Sequence, residues 1–588
     1  MFRIAVITLA AGLLAAPPAQ AGDPGFELTV LHVNDHHSHL DPQGATLRLA
    51  GADVPVSLGG FARVVAAFEA LSAGRPNVLR LHAGDATTGT PYYTLEQGRA
   101  DAAMMNLVCF DAFVAGNHEF DHGDAGLARL IDFLHEAPGC RTPVLSANLV
   151  PHAGSPLAGR VAPHAVVERG GRRIGLVGVT GADKTLRASR PDPGTALGDE
   201  AAAAQAAIDA LRADGIDIIV VLAHIGHAAE RALARSLSGV DVVVGGDSHS
   251  LLGDPALAAL GLPVAGPYPA VERNRDGDPV CVVQAWQYAA AVGELRVRLD
   301  AKGRVLDCAG QPHVLIGDPG TGRSDAGSIR AALAARPELR VTDESPAALA
   351  RLEPFRERQR EFGLSAIAEV AHDLCLRRVP GPSRARSTLA GCNDDPHVAA
   401  HGGDVQQIVA VALLAHARRY GGGDLALINA GGVRIDLPAG PLTVGTAYTL
   451  LPFPNRLVRL RLRGDEVLSV LEDAVATVAD GNTGAWPYGA DVRWDVDMAR
   501  PRGERVRQVE VLEDGTWRPL EAARDYVVVT HDYLADGRDG WHTFGSVPAA
   551  RREDTGLSYT EGFIMEARAA GVLRRPPTEA FSTRRFAP

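Results

Sequence analysis

The chain has 588 residues, too many for one ordinary core, so two domains are expected. Its 46% apolar and 22% charged residues are those of a globular protein rather than a disordered or fibrous one. The formal net charge of −12 argues against a nucleic-acid-binding surface and an anionic-membrane anchor, although a few placed arginines can still hold a phosphate.

Residues 1–21 read as an export leader, with Arg3 as the positive start, Ile4 to Ala16 as the apolar run and Ala19-Gln20-Ala21 as the cleavage site. The run is short for a membrane span, and the alternative is a buried first helix. No Cys follows the run, and the C-terminus has no apolar tail. A periplasmic or secreted protein without a membrane anchor is therefore expected. The six cysteines, Cys109, Cys140, Cys281, Cys308, Cys375 and Cys392, favour disulfides in such a chain, with neighbour pairing the simplest connectivity and buried free thiols the alternative. There is no CxxC, which argues against a thiolate zinc site.

The first half alternates apolar runs with helical stretches, the pattern of an α/β domain. The expected strands are Leu28–Val33, Val78–Leu81, Phe113–Ala115, Ile218–Ala223 and Val240–Val244, and expected helices between them include Phe61–Ser72, Ala125–His135 and Glu200–Asp214. Continuous apolar runs of this length suit central strands covered on both faces. Gly170-Gly171 predicts a hairpin turn, and a second hairpin is expected around Asp300-Ala301-Lys302-Gly303. The expected division is a domain over 22–320, a linker over 321–362 and a second domain over 363–588. Residues 317–345 show no strong period and read as linker, while Pro346–Phe362 reads as a connecting helix that Pro354 should kink or interrupt. Beyond it, helix Val405–Tyr420 and strand Leu425–Ile428 open an α+β run.

Each apolar run of the first half is followed by polar residues. These are Asn34-Asp35-His36-His37, then His82-Ala83-Gly84-Asp85, Gly116-Asn117-His118, His224-Ile225-Gly226-His227, and Gly245-Gly246-Asp247-Ser248-His249. Ligands of open α/β sheets bind beyond the carboxyl ends of strands, so the spacing brings five strand ends to one edge. Taken alone, a His there is usually a loop histidine and an Asp a helix cap. Five together are not explained that way. Oxygen and imidazole donors without Cys suit divalent zinc or manganese, and two ions sharing a carboxylate form a clamp for phosphoester displacement.

The stretches Leu28 to Ser38, Leu81-His82-Ala83-Gly84-Asp85 and Gly116-Asn117-His118-Glu119-Phe120-Asp121 resemble the three signatures of the 5′-nucleotidase family of calcineurin-like metallophosphoesterases. Asn429-Ala430-Gly431-Gly432-Val433-Arg434, Leu451-Pro452-Phe453-Pro454-Asn455 and Asp536-Gly537-Arg538-Asp539-Gly540-Trp541 resemble its substrate-binding motifs. The resemblance spans the chain after the leader. It implies a four-layer α/β/β/α metallophosphoesterase domain and an α+β substrate-binding domain joined by a helical linker. It also implies two divalent ions, one held by Asp35, His37 and His249, the other by Asn117, His224 and Asp247, with Asp85 bridging. His118 and Asp121 resemble the catalytic dyad, a spacing that lets Asp121 accept from one ring nitrogen and aim the other at phosphate.

For substrate the resemblance implies Asn429, a phosphate-binding Arg434, and Phe453 and Trp541 as a pair of rings stacking on the base. His401 falls where the family has a second phosphate-binding Arg. Other departures are Asp247 in place of His, Arg538 in place of Gly, and Trp541 in place of Phe or Tyr. The implied activity is that of an exported dinuclear 5′-nucleotidase acting on small-molecule nucleotides, not on nucleic-acid polymers. The alternatives on the same scaffold are a UDP-sugar or NAD pyrophosphohydrolase and a 2′,3′-cyclic nucleotide 2′-phosphodiesterase/3′-nucleotidase. From another class comes a non-catalytic nucleotide- or metal-binding protein. A sulfur-compound hydrolase is disfavoured by the two aromatics.

Overall fold

Strand Phe26–Val33 shows how the first domain is layered, because its apolar residues divide between two cores. Leu28 and Val30 face one way and Leu31 and Val33 the other, as the two-residue period of a strand requires. The structure, a computed structural model, describes residues 25–588 except Arg190, Thr321, Gly322, residues 382–386, Thr388 and Pro454. The expected leader lies outside the described residues.

Leu28, Val30, Leu79, Leu81 and Val114 of one sheet meet Ile174, Leu176, Val220, Leu222 and Val244 of a second. The first sheet runs Gln43–Leu49, Ala52–Leu58, Val305–Ile316, Ala291–Leu299, Phe26–Val33, Val78–His82, Ala112–Val114, Val144–Leu145. The second runs Ala270–Arg273, Pro279–Val283, Val242–Gly245, Ile218–His224, Arg172–Thr180, His164–Arg169. Helices Phe61–Ser72, Arg99–Val108 and Gly123–Leu134 cover the outer face of the first sheet, and Glu200–Ala213 and His227–Ser236 that of the second. This is the four-layer α/β/β/α arrangement. Both expected hairpins form, through Gly170-Gly171 and through Asp300–Gly303. The cysteines pair as neighbours, Cys109–Cys140, Cys281–Cys308 and Cys375–Cys392.

Two stretches differ from expectation. Residues 317–345 are not a loose linker. They carry helix Ala326–Ala334 and strand Leu339–Val341, which bury Ile329, Leu333 and Leu339 and extend the first sheet. Helix Pro346–Gly363 runs through Pro354 without interruption. The proline forfeits one backbone hydrogen bond, but Ala348, Leu352 and Phe355 are buried in the first domain's helical layer and hold the helix on both sides of it.

The second domain is built on the sheet Pro487–Ala490, Leu425–Asn429, Asp525–His531, Arg456–Arg463, Arg552–Ser558, with parallel and antiparallel pairs mixed. Helices Asp404–Arg419, Gly464–Ala479 and Tyr559–Ala570 bury their apolar faces in its core. A four-stranded sheet from Val492–Asp497 to the C-terminal Thr583–Ala587 completes an α+β unit.

Candidate functional site

The five strand ends meet, but they come from two sheets. Strands Phe26–Val33, Val78–His82 and Ala112–Val114 lie parallel in one, and Ile218–His224 and Val242–Gly245 lie parallel in the other. Their carboxyl ends open on the same edge of the sandwich, where Asp35, His37 and His249 cluster beside Asp85 and His224.

The backbone turns sharply there. Asp35, His37, Asp85, Asp247 and His249, five of the seven expected ligands, all have positive φ. Each such residue costs about 1–3 kcal/mol and persists only where surroundings over-determine it. Those surroundings can be named. Asn34 donates to Asp35 Oδ2 at 2.6 Å and to the Trp286 carbonyl at 2.7 Å, while its own oxygen accepts from Ala285 N at 2.8 Å. The Asp247 amide donates to Asp35 at 3.0 Å. Gly116 is required by proximity, since a Cβ there would lie 2.2 Å from Asp85 Oδ1.

Glu119 is the brace that the sequence reading passed over. Its buried carboxylate accepts from the amides of Asp85, Ala86, Thr87 and Gly116 at 2.7–3.2 Å and from the Thr87 hydroxyl at 3.1 Å. Burial, reinforced by Asp85, raises its pKa to about 7. The signal was present as a carboxylate inside the densest motif, but its partners other than Gly116 lie on a different loop.

The donor set fits divalent cations. His224 Nδ1 donates to the Ala83 carbonyl at 2.7 Å, which turns Nε2 toward Asp85 Oδ2, 3.0 Å away. His224 Nε2, Asp85 Oδ2 and Asn117 Oδ1 are all buried; Asn117 Oδ1 has no hydrogen-bond partner among the described residues, and the other two face each other as an ion pair. A buried set with this excess of acceptors is costly unless positive charge joins it. Burial pulls the His224 pKa down, yet Asp85, Asp35 and Asp247 outweigh it and hold it well above its ordinary value, the field of a cation site. Burial holds His37 well below its ordinary value, which leaves a neutral ring with a lone pair to give. Its Nε2 lies 3.1 Å from His249 Nε2 and 3.6 Å from Asp85 Oδ2. Asp247 reaches the same edge, 3.8 Å from His224 Nε2, and its carboxylate also accepts from Lys184 Nζ at 2.5 Å.

His118 sits in a short helical turn, His118–Phe120, with its Nδ1 2.7 Å from Asp121 Oδ2. Burial lowers its pKa, but Asp121 and Asp85 outweigh burial and hold it at about 9. Its other nitrogen, Nε2, is buried without a partner among the described residues. The ring packs against Gly556 of the second domain, and Arg456 of that domain is near enough for its charge to act on His118 and His37.

The expected substrate residues lie elsewhere. A cavity of about 290 Å³ is lined by Asn429, Arg434, Phe453, Tyr533, Asp539 and Arg378, all of the second domain. Asn429 and Asn482 both donate to Asp539, at 2.7 and 2.6 Å, and fix one wall. Phe453 is 41% and Tyr533 44% exposed, so both can give a ring face to a base. Two expectations are corrected. Trp541 is fully buried, stacks on Phe544 and donates to the Ala485 carbonyl at 3.2 Å, so it does not line the cavity; Tyr533 does. His401 is bound through Nδ1 to the Thr583 carbonyl at 2.9 Å and packs near Phe581, outside the cavity. The second guanidinium of the cavity is that of Arg378, which no motif had marked.

Comparison with known proteins agrees with both halves. The family model described as Calcineurin-like phosphoesterase matches residues 28–251, and that described as 5'-nucleotidase, C-terminal domain, matches residues 386–546. A "Probable 5'-nucleotidase" of Treponema pallidum is 37% identical over 94% of this chain and 93% of its own. The "NAD 5'-nucleotidase" of Haemophilus influenzae is 36% identical over 93% of this chain and 91% of its own. The solved structure of Haemophilus influenzae NAD nucleotidase superposes with a TM-score of 0.79 at 32% identity, over 96% of this chain and all of that one. A 5'-nucleotidase precursor from Thermus thermophilus gives 0.57 at 34% identity, over 96% of this chain and 99% of that one.

Proposed function

The chain belongs to the 5'-nucleotidase family of calcineurin-like phosphoesterases, and from that premise we propose that it hydrolyses nucleoside 5′-phosphates to nucleoside and phosphate. The observation that carries the reading is the buried donor set of Asp85 Oδ2, Asn117 Oδ1 and His224 Nε2, with Asn117 Oδ1 unpartnered among the described residues, next to a histidine already oriented by a carboxylate. Asp35, His37 and His249 would hold one divalent ion and Asn117, His224 and Asp247 a second, with Asp85 shared. Such ions, zinc or manganese, supply Lewis-acid polarisation of the phosphate and activation of water.

The protein's own groups do the rest. Asp121 keeps the His118 proton on Nδ1 and aims Nε2 at the phosphate, where it steadies charge and hands a proton to the departing oxygen. Glu119 holds the Asp85 loop against its strained backbone. Arg434 and Arg378 hold phosphate oxygens of the incoming nucleotide, and Phe453 and Tyr533 take the base between them.

In the arrangement described, Gly556, not the nucleotide cavity, faces His118. Turnover therefore needs a rotation of the second domain that brings the cavity to the cluster. A disulfide locking the two domains should abolish turnover, and unchanged turnover contradicts the rotation. Export is tested by fractionation: the leader should be removed and the protein found outside the cytoplasm, whereas an uncleaved cytoplasmic chain contradicts it.

The substrate reading is tested on AMP, 3′-AMP, cyclic 2′,3′-AMP, UDP-glucose and NAD, with products separated chromatographically. AMP should give adenosine and phosphate. Hydrolysis of only 3′-AMP or the cyclic nucleotide would overturn the 5′ assignment, and no hydrolysis at all would leave a binding protein. One second reading has support of its own, pyrophosphate cleavage of a dinucleotide, because the relative named NAD 5'-nucleotidase covers nearly the whole chain.

A further inference from the structure

Asp247 stands where the family resemblance implies an imidazole, so the cluster carries a third carboxylate beside those of Asp35 and Asp85. The structure gives that carboxylate a partner. Lys184 Nζ donates to Asp247 Oδ1 at 2.5 Å, with 27% of the lysine side chain and 17% of the aspartate exposed. A pair sheltered to that degree is less screened than an ordinary surface bridge.

The meeting of the two side chains is fixed by the fold. Strands Arg172–Thr180 and Val242–Gly245 flank Ile218–His224 in the second sheet, all three parallel. Lys184 lies on the short helix Ala182–Ala188 that follows the first of these, and Asp247 on the turn that follows the second. The ammonium and the carboxylate therefore meet across the end of the strand that carries His224. Both backbones are pinned there. Gly181 N donates to the His224 carbonyl at 3.0 Å, Ala182 N to Glu200 at 2.8 Å and the Thr185 hydroxyl to the Gly181 carbonyl at 2.6 Å. On the other side the Asp247 amide is bound to Asp35 at 3.0 Å. Asp554 of the second domain shares a cavity wall with Lys184, but its own partner is Arg456, at 3.1 Å.

The exchange of imidazole for carboxylate adds one negative charge to whatever the cluster otherwise carries. That charge lies where a phosphate dianion has to enter, and it opposes entry. An ammonium hydrogen-bonded to the same carboxylate cancels the added charge at its source. Its effect on a cation has the opposite sign, because an ammonium repels an ion that the bare carboxylate attracts.

We propose that Lys184 is the counter-charge of Asp247: it cancels the carboxylate that this chain carries in place of an imidazole, and so preserves the affinity of the cluster for phosphate. The proposal rests on the metal assignment and the nucleotidase reading above. Lys184 acts through Asp247 and does not touch the phosphate.

The test measures two affinities by calorimetry, that of the protein for manganese and that of the manganese-loaded protein for inorganic phosphate. Thermal unfolding serves as the control for folding. Lys184→Met and Lys184→Gln both remove the charge, and each should weaken phosphate binding by about tenfold or more. The second manganese ion should stay bound at least as tightly as in the wild type. Lys184→Arg keeps the charge and should hold phosphate within about threefold of the wild type. Adding Asp247→His to Lys184→Met should bring phosphate affinity back to within about threefold, since it removes the charge that the lysine had balanced. Unchanged phosphate affinity in Lys184→Met and Lys184→Gln overturns the proposal. So does a loss that Asp247→His fails to restore, which would put the lysine on the phosphate itself. Loss of the second manganese ion in Lys184→Met would show a support for the ligand rather than a counter-charge, and a loss in Lys184→Arg as large as in Lys184→Met would show a need for shape rather than charge; both contradict it. If the wild type binds two manganese ions and hydrolyses AMP, these failures refute this inference alone. A wild type that binds no manganese refutes the reading beneath it.

Discussion

The cluster of the first domain and the cavity of the second, proposed above as the nucleotide pocket, are built in opposite ways. In the cluster nearly every group is buried, five backbones are strained, and the turns at Asp35, Asp85 and Asp247 are fixed by named hydrogen bonds. The cavity is half open, its two rings are exposed at their faces, and its polar groups bond mostly to one another. The contrast follows from what each has to do. Atoms that steer a reaction must be held within a fraction of an ångström, so their supports are many and rigid. A base is held by stacking, which tolerates adjustment and needs fewer fixed neighbours.

Substitutions can break this contrast. The largest effect is expected at His118, where His118→Asn should lower kcat on AMP by about 10²–10⁴-fold while bound metal stays the same. Metal analysis beside steady-state kinetics checks it; a variant that loses its metal would show that His118 belongs to the cation site instead. Next is Glu119→Gln. Its amide puts N–H groups among backbone N–H donors, which should release the Asp85 loop and cost about 10–100-fold in metal affinity or activity. A competitive metal titration reads this directly, and unchanged affinity would remove Glu119 from the support of the cluster.

The smallest effects belong to the cavity. Phe453→Ala should weaken nucleotide binding by about 1–3 kcal/mol, seen as a higher KM with kcat nearly kept. Trp541→Ala should instead cost stability, about 3–5 kcal/mol, measured by denaturant unfolding. If Trp541→Ala raised KM at unchanged stability, the assignment of Tyr533 as the second ring would be wrong. Arg378→Ala should raise KM where His401→Ala does not.

The same contrast governs what was legible in the sequence. The polar stretches that hold Asp35, His37, Asp85, Asn117, His118, His224, Asp247 and His249 could be marked because they follow apolar runs at strand ends, while the roles expected of these residues came from the family resemblance. That the five strands split between two sheets could not be read, because an apolar period gives the faces of a strand but not its partners. Glu119 stood inside a motif, but a brace is defined by the amides it accepts from, and three of those four, Asp85, Ala86 and Thr87, lie on another loop. In the second domain Trp541 was misplaced because a motif fixes position along the chain, not direction. Positive φ at Gly537, Asp539 and Gly540 turns the loop so that the indole enters the core. Tyr533 and Arg378 lie outside the motifs and reach the cavity only through the fold. His401 aligned with a phosphate-binding position but is bound to the carbonyl of Thr583, in the C-terminal strand.

The central claim is that the strained, buried cluster is a site for two cations that support hydrolysis of a nucleotide phosphate. It is tested most directly by stripping the protein with a chelator and adding back manganese or zinc in measured equivalents while following phosphate release from AMP. Activity absent from the stripped protein and rising to a plateau at two ions per chain is the expected result. Hydrolysis of AMP by the metal-free protein, or a plateau reached with one ion, would contradict it.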